Sequence, residues 1–200
     1  MNSAKFLKKV YKIMNRIVLL GDSITAGVMD GFPSPLFTHK LRDALAMGDL
    51  ELINRGVPGD LARNAVQRLQ ADVHLANPDI VTIFFGTNDV ADEKTTLESY
   101  KENLCTMIDE IGKNKCILIT PGITGPTRQV FRPLAKLHQY ALATQEVALK
   151  KDVTYLDWYD IAFQHKGENL LQPDDIHYSE AGYDLLIEHL VPLLRKKLTD

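Results

Sequence analysis

Short apolar segments alternate along the chain with segments whose apolar residues recur at a helical period. The first kind is continuous, rich in β-branched residues and ended by glycine or proline, which is typical of strands buried on both faces of a sheet. The second kind places its apolar side chains on one face of a helix. This pattern predicts strands at residues 16–20, 51–54, 80–85, 117–120 and 153–156. It predicts helices at residues 35–46, 61–75, 96–111, 133–151 and 179–198.

Local signals support two of the predicted helix ends. Gly112 follows the third helix, where a C-cap glycine belongs. Ser179 precedes the last helix and is a suitable N-cap. The longest stretch without clear periodicity is the segment 122–132, and a loop of this length in a compact domain is commonly functional.

Strands that alternate with helices require crossover connections, which produce a parallel sheet covered on both faces. We therefore predict an α/β fold, a three-layer α/β/α sandwich whose five parallel strands have the flavodoxin-like order 2-1-3-4-5. We expect one domain over residues 15–200, because no repeat or linker interrupts it. Residues 1–14 are expected to form a short basic extension. Its lysines break up the apolar residues that a signal peptide needs, and either Met1 or Met14 can be the natural start.

Composition narrows the range of functions. The chain has 200 residues, 45% apolar and 24% charged, with a formal net charge of −3, as is ordinary for a soluble globular protein. No basic run stands beside aromatic residues, so no nucleic-acid partner is expected, and no apolar run is long enough to span a membrane. Cys105 and Cys116 fit no zinc spacing and are expected to be free thiols in a cytoplasmic protein. The oligomeric state is not predicted.

Small polar clusters follow the first three predicted strands, at residues 21–25, 54–60 and 86–89. Ligands of an open parallel sheet bind beyond the carboxyl ends of its strands. The three clusters are therefore expected to meet on one rim.

Ser23 lies in the first of these clusters. A serine nucleophile needs a base, a group that orients the base, and donors for the oxyanion that forms. Among the six histidines, only His177 has a nearby carboxylate in a loop outside a helical pattern. Either Asp174 or Asp175 can bond its ring on sequence grounds. His165 is the second candidate, and four histidines are expected to be structural: His39, His74, His138 and His189.

Four segments together resemble the sequence blocks of the GDSL, or SGNH, hydrolases. Residues 21–25 (Gly-Asp-Ser-Ile-Thr), 54–60, 86–89 (Gly-Thr-Asn-Asp) and 174–177 (Asp-Asp-Ile-His) resemble the successive blocks, in the family's order. Ile24 stands where leucine is commonest in the family, and both are aliphatic side chains of equal size. The chain lacks Gly-x-Ser-x-Gly, which separates it from α/β-hydrolases with a nucleophile elbow.

The resemblance implies a serine esterase or acylhydrolase that cleaves a small-molecule ester through an acyl-serine intermediate, with no metal or organic cofactor. It implies Ser23 as the nucleophile, His177 as the base, and Asp174 rather than Asp175 as the residue that orients the base. It also implies three oxyanion donors: the N–H groups of Ser23 and Gly59 and the side-chain amide of Asn88.

Physical considerations add three expectations. A helix that begins near Ser23 would point unpaired N–H groups at the developing charge. Glycine at position 59 would let the backbone approach the substrate without a Cβ. Asp89 is expected to hold the backbone rather than to react.

Two other functions remain open. A carbohydrate O-deacetylase of the same family would release acetate from acetylated sugars, and a non-catalytic flavodoxin-like binding domain would keep a pocket without pairing Ser23 to His177. The segment 122–132 is mixed in character. Some of its residues suit a sugar or an anion and others suit an acyl chain: Thr127, Arg128, Gln129 and Arg132 in the first group, and Ile123, Val130 and Phe131 in the second. We interpret Arg128 and Arg132 as surface charges.

Overall fold

Five parallel strands form one sheet in the order β2-β1-β3-β4-β5 in the computed structural model, which describes residues 14–166 and 168–199. The strands are β1 (Asn15–Gly21), β2 (Leu50–Gly56), β3 (Ile80–Phe84), β4 (Cys116–Ile119) and β5 (Thr154–Leu156). This confirms the predicted sheet and its order. The predicted basic extension lies outside the described residues except for Met14.

Six α-helices surround the sheet in the described part of the chain: α1 (Leu36–Leu45), α2 (Ala62–Leu69), α3 (Leu97–Ile111), α4 (Leu134–Lys151), α5 (Trp158–Gln164) and α6 (Glu180–Thr199). Helix α1 packs against α6, while α3 packs against both α2 and α4. The step from β1 to β2 runs one way along the sheet and the later steps run the other way. Right-handed crossovers therefore place α1 on one face and α2, α3 and α4 on the opposite face.

Burial explains why the apolar segments become the central strands. Every residue of β3 is buried, and so are the last five residues of β1. A strand covered on both faces cannot alternate apolar and polar residues, because either face would then bury polar groups. This burial explains why the segments at residues 16–20 and 80–85 are almost continuously apolar.

The two predicted helix ends are confirmed. Gly112 has a φ of 96°, and its N–H donates to the Ile108 carbonyl at 2.8 Å. The Ser179 hydroxyl accepts from the Gly182 N–H at 3.2 Å, which is an N-cap hydrogen bond for α6.

The helices differ from the prediction in two places. Residues 70–74, predicted as a continuation of α2, are π-helical, with Leu75 N–H donating to the Gln70 carbonyl at 3.1 Å. Helix α5 is absent from the prediction, because its seven residues are too few to display a period. Its start is set by Asp157, whose side chain accepts from the Asp160 N–H.

The strand register places the three predicted polar clusters at the same edge of the sheet. Gly21 at the end of β1 pairs with Gly56 at the end of β2 and with Phe84 at the end of β3. The loops that follow these strands therefore leave the sheet together. They form the rim on which the predicted site residues lie.

Two expectations from composition can be compared with the structure. Both cysteines are free, with Cys116 buried and Cys105 partly exposed. None of the helices in the described ranges is both long enough and apolar enough to span a membrane.

Candidate active site

A cavity of about 270 Å³ opens where the loops after β1, β2 and β3 meet. Four predicted site residues line it: Ser23, Gly59, Asn88 and His177. The fifth, Asp174, contacts His177. A larger groove of about 570 Å³ runs beside it along α1 and the end of β2, and neither Ser23 nor His177 lines that groove. Because the predicted site residues meet in the smaller cavity, we take it as the candidate site.

Ser23 lies in a tight turn that rests on the ends of the strands. The Asp22 carbonyl accepts from the Ala26 N–H at 2.9 Å, and the Ser23 carbonyl accepts from the Val28 N–H at 3.1 Å. A Cβ on Gly56 would clash with the Ala26 nitrogen, so only glycine lets the turn lie this close to β2. Ser23 lines the cavity and is 7% exposed.

The expectation of a helix starting near Ser23 is wrong. The turn ends at Gly27, whose φ of 71° departs from the right-handed helical conformation, and the next helix begins only at Leu36. Two backbone N–H groups are nevertheless available. Within the described residues, neither the Ser23 nor the Gly59 backbone N–H donates to a protein acceptor.

Gly59 has a φ of 78°, in the left-handed region that favours glycine. A Cβ at this position would meet no atom within 4 Å. The requirement for glycine therefore comes from the backbone conformation of the turn and not from crowding. The turn is closed by the Asp60 N–H, which donates to the Val57 carbonyl at 3.1 Å.

Asn88 is held at both ends of its amide. Its Oδ1 accepts from Arg132 Nη2 at 3.1 Å, and its Nδ2 donates to the Asp60 carbonyl at 3.1 Å and to Asp22 Oδ2 at 3.3 Å. Arg132 is itself fixed by its Nε, which donates to the Thr87 carbonyl at 2.9 Å. These contacts determine which way the amide points.

His177 and Asp174 form a direct pair, with 2.5 Å between Nδ1 and Oδ2. A carboxylate only accepts hydrogen bonds, so Nδ1 carries the proton and Nε2 is left as the acceptor of the neutral ring. Asp174 Oδ1 also accepts from the N–H groups of Ile176 and His177. Burial opposes ionisation of Asp174, but these hydrogen bonds outweigh it and keep the pKa of the carboxyl below its usual value.

No hydrogen bond joins Ser23 Oγ to the His177 ring among the described residues, although both line the cavity. Catalytic hydrogen bonds are often long in the absence of substrate and shorten when it binds.

Asp175 faces a different partner. Its Oδ2 accepts from the Thr127 N–H at 2.9 Å and from the Thr127 hydroxyl at 2.6 Å, and its carbonyl accepts from the Gly125 N–H at 2.9 Å. The two hydrogen bonds from Thr127 lower the pKa of the Asp175 carboxyl. The neighbouring aspartates are therefore separated by geometry: one contacts the histidine and the other ties down the segment 122–132.

The segment's two arginines are placed differently from the prediction. Arg128 and Arg132 both line the cavity, so the interpretation as surface charges is wrong. Val130 and Phe131 lie between them and are 78% and 66% exposed, whereas Ile123 is buried. The positions of these side chains could not be predicted because the segment has no periodicity.

The remaining histidines lie elsewhere. His165, the second candidate base, does not line the cavity, and its Nδ1 lies 2.9 Å from the Ile161 carbonyl. His138 stacks on Tyr159, and His39 lines the larger groove. Within residues 14–166 and 168–199, no group of three or more histidine, cysteine, aspartate or glutamate side chains is arranged to hold a metal ion.

Two buried carboxyl groups lie behind the cavity. Asp89 is fully buried and accepts from the N–H groups of Ala62 and Gly86, so it joins the start of α2 to the loop after β3, as expected for a structural residue. Burial raises the pKa of Asp22 to about 7, against the hydrogen bond from the Ile24 N–H and with repulsion from Asp89 and Asp60. Burial likewise raises the pKa of Asp89 to about 6.

The raised pKa of Asp22 predicts a pH-dependent stability. The folded chain binds this proton more tightly than the unfolded chain, so the contribution is full below the usual value of 3.8 and is lost as pH rises to about 7. In urea unfolding, Asp22→Asn should gain stability relative to the parent chain by on the order of 2–4 kcal/mol between about pH 4 and pH 8. Asp43→Asn, on the exposed side of α1, is the matched control. A difference for Asp22→Asn that stays constant with pH would contradict the prediction.

Residues 19–185 match the GDSL-like Lipase/Acylhydrolase family. The chain belongs to this family. Among its relatives, the human isoamyl acetate-hydrolyzing esterase 1 homolog is 32% identical over 209 residues, which cover 92% of this chain and 83% of that protein. The isoamyl acetate-hydrolyzing esterase of Schizosaccharomyces pombe is 25% identical, over 96% of this chain and 80% of that protein.

Solved structures agree with this membership. A lipase/acylhydrolase from Enterococcus faecalis superposes with a TM-score of 0.87 at 39% identity, covering 92% of this chain and 97% of that one. Axe2, an acetylxylan esterase from Geobacillus stearothermophilus, superposes with a TM-score of 0.72 at 24% identity, over 90% of this chain and 95% of that one, which shows the shared fold alone. As a GDSL-like acylhydrolase, the chain is a carboxylic ester hydrolase with an SGNH-type α/β fold.

Proposed function

We propose that the chain hydrolyses short-chain carboxylic esters through an acyl-enzyme on Ser23, with His177 as general base and Asp174 as the residue that orients it. The observation that carries the proposal is that a single cavity is lined by Ser23 and His177, and that the His177 ring is bonded to Asp174 on its far side. This arrangement leaves Nε2 as the acceptor for a serine proton.

Acylation follows from this placement. Ser23 Oγ attacks the ester carbonyl carbon while its proton passes to His177 Nε2. The carbonyl oxygen becomes an oxyanion, and three donors stabilise it: the N–H groups of Ser23 and Gly59 and the Asn88 amide. The tetrahedral intermediate then collapses, the bond to the alcohol oxygen breaks, and the departing alkoxide takes the proton from His177.

Deacylation repeats the same steps with water. His177 takes a proton from a water molecule whose oxygen attacks the acyl carbon. The second intermediate releases the carboxylic acid, and Ser23 Oγ regains its proton from His177. Asp174 holds the ring and stabilises the imidazolium in both halves of the reaction.

To serve as an oxyanion donor, Asn88 must exchange one of its two Nδ2 hydrogen bonds. Of its two Nδ2 hydrogen bonds, the one to Asp22 is longer, at 3.3 Å against 3.1 Å to the Asp60 carbonyl. We expect the oxyanion to replace the longer bond. Arg132 keeps Oδ1 in place meanwhile, so the amide does not flip.

The size of the cavity supports a small substrate. Pockets for drug-sized ligands have volumes of about 300–1,000 Å³, and the cavity around Ser23, at about 270 Å³, is slightly smaller. The human and fission-yeast relatives are named for the hydrolysis of isoamyl acetate, which is a small acetate ester. We therefore propose acetyl and other short acyl esters as the substrate class.

The two alternatives depart from this proposal in different ways. The first differs in the alcohol portion of the ester, and the second has no catalytic activity. A carbohydrate O-deacetylase would use the same chemistry on an acetylated sugar. A non-catalytic binding domain is disfavoured by membership in a family of acylhydrolases.

Covalent labelling tests the proposal. A fluorophosphonate should attach to Ser23, located by peptide mass spectrometry, and Ser23→Ala should not be labelled. Turnover of p-nitrophenyl acetate, butyrate and octanoate, together with acetate release from acetylated xylose, then defines the substrate class. Labelling at another residue, or none in a folded protein, would refute an acyl-serine mechanism at Ser23.

A further inference from the structure

Two guanidinium groups, those of Arg128 and Arg132, line the cavity that contains Ser23. Within the described residues, each is held only by neutral oxygen atoms. Arg128 Nε donates to the Asp174 carbonyl at 2.9 Å, and Arg132 donates to the Thr87 carbonyl and to the Asn88 amide oxygen. Neither forms an ion pair with a carboxylate in the described parts of the chain.

The neighbouring carboxylates are already engaged. Asp174 binds the His177 ring, Asp175 accepts both hydrogen bonds of Thr127, and Asp22 lies behind Asn88. Burial and the nearby charge of Arg128 lower the pKa of Arg132, with Asp22 opposing the shift. Two like charges that share a cavity repel each other, and an anion bound between them would relieve this repulsion.

The positive charge of the two arginines in this cavity contrasts with the negative net charge of the whole protein. The chain has 26 acidic and 23 basic residues, with a net charge of −3, so its average surface repels anions. Positive groups gathered in the one cavity that contains the proposed nucleophile therefore favour an anionic substrate at that place.

Arg128 lines the cavity together with His177. Its Nε is bonded to the carbonyl of Asp174, in the same short segment as His177. The leaving alkoxide must lie against His177 to take its proton, so acyl transfer at Ser23 would bring the alcohol portion of the ester to the part of the cavity that His177 and Arg128 line. Arg132 donates to Asn88, the proposed oxyanion donor.

We propose that the preferred esters carry a carboxylate on their alcohol portion, that the terminal nitrogens of Arg128 bind it, and that Arg132 adds positive potential. This inference rests on the proposed function, because it uses the orientation that acyl transfer at Ser23 imposes. An Arg–carboxylate pair is bidentate and directional, so it would also fix the substrate for attack.

A matched pair of acetates tests the proposal. In 3-acetoxypropionate a carboxylate replaces the terminal isopropyl group of isoamyl acetate, so the two esters have similar shape and differ in charge. We expect kcat/KM for the anionic acetate to exceed that for isoamyl acetate by about tenfold or more. The ratio should fall by about 10–100-fold in Arg128→Gln and by less in Arg128→Lys, which keeps the charge but loses the fork geometry.

Lys136→Gln provides the control for general electrostatic attraction. Lys136 lies close to Arg132 along the chain and donates to the Val90 carbonyl, but it does not line the cavity. Its removal changes the net charge by the same amount as Arg128→Gln and should leave the ratio unchanged. If the parent chain prefers isoamyl acetate, or if the ratio survives Arg128→Gln, the proposal is wrong.

A binding measurement separates this proposal from the proposed mechanism. Calorimetric titration of Ser23→Ala with each acetate measures binding without turnover. Tighter binding of 3-acetoxypropionate that is lost on adding Arg128→Gln supports the anion site even if Ser23 proves not to be the nucleophile. Equal affinity for both acetates overturns the anion site even if Ser23 is labelled as expected.

Discussion

Ser23→Ala is expected to lower kcat/KM for p-nitrophenyl acetate by about 10⁴–10⁶-fold while the protein stays folded. In the proposed mechanism the variant loses the atom that bonds to the acyl group, and only the proposed oxyanion donors and substrate binding would remain to accelerate direct attack by water. Stability should change little, because the Ser23 hydroxyl donates to no protein acceptor within the described residues. Initial rates, together with urea unfolding of the same preparations, measure both effects.

Ser99→Ala is the matched control for this experiment. Ser99 lies in the capping box at the start of α3, where its hydroxyl and that of Thr96 each accept from the other residue's N–H. Its loss should cost about 1 kcal/mol of stability and leave activity intact. The two serines are thus expected to give opposite results, one affecting activity alone and the other stability alone. Substantial turnover by Ser23→Ala would reject the mechanism.

Asp174→Asn is expected to lower kcat by about 10⁴-fold, because an amide can donate a hydrogen bond to His177 Nδ1. Donation at Nδ1 places the ring proton on Nε2, which then cannot accept the proton of Ser23. Asp174 also accepts from the N–H groups of Ile176 and His177, and an asparagine oxygen can retain those contacts. Single-turnover kinetics with a p-nitrophenyl ester measure the acylation step directly.

Asp175→Asn is the natural comparison, since it makes the same chemical change one residue away. The oxygen of the introduced amide can still accept from Thr127, so we expect kcat within about tenfold of the parent value. Equal losses in the two variants would mean that the Asp174 contact with His177 has no special role.

The sheet could be predicted because its sequence signal is strong and local. The apolar segments at β1 and β3 do not alternate with polar residues, which excludes strands exposed on one face, and a glycine marks the end of each: Gly21 ends β1 and Gly86 follows shortly after β3. The turn at Ser23 is harder to predict. The residues before Gly27 are compatible with a helix, and only the positive φ of this glycine, which sequence does not specify, ends the turn.

Residue spacing alone could not decide whether Asp174 or Asp175 contacts His177. Both carboxyls are within reach of His177 along the chain, and the family resemblance alone favours the first. The structure separates them because Asp175 has a φ of 62°, and its side chain contacts Thr127. This contact joins segments 48 residues apart and has no local sequence signal. The positions of Arg128 and Arg132 could not be predicted for the same reason, because their hydrogen bonds also join segments that are distant in sequence.

Hydrogen bonds join the segment 122–132 to two sides of the candidate site. Through Thr127 it is tied to Asp175, beside the histidine, and through Arg132 it is tied to Asn88. A change that moves this segment would therefore displace the proposed acid–base group, His177, and the proposed oxyanion donor, Asn88, together. In a redesign for new esters, the segment would have to be exchanged together with Asp175 and Asn88, the two residues to which it is bonded.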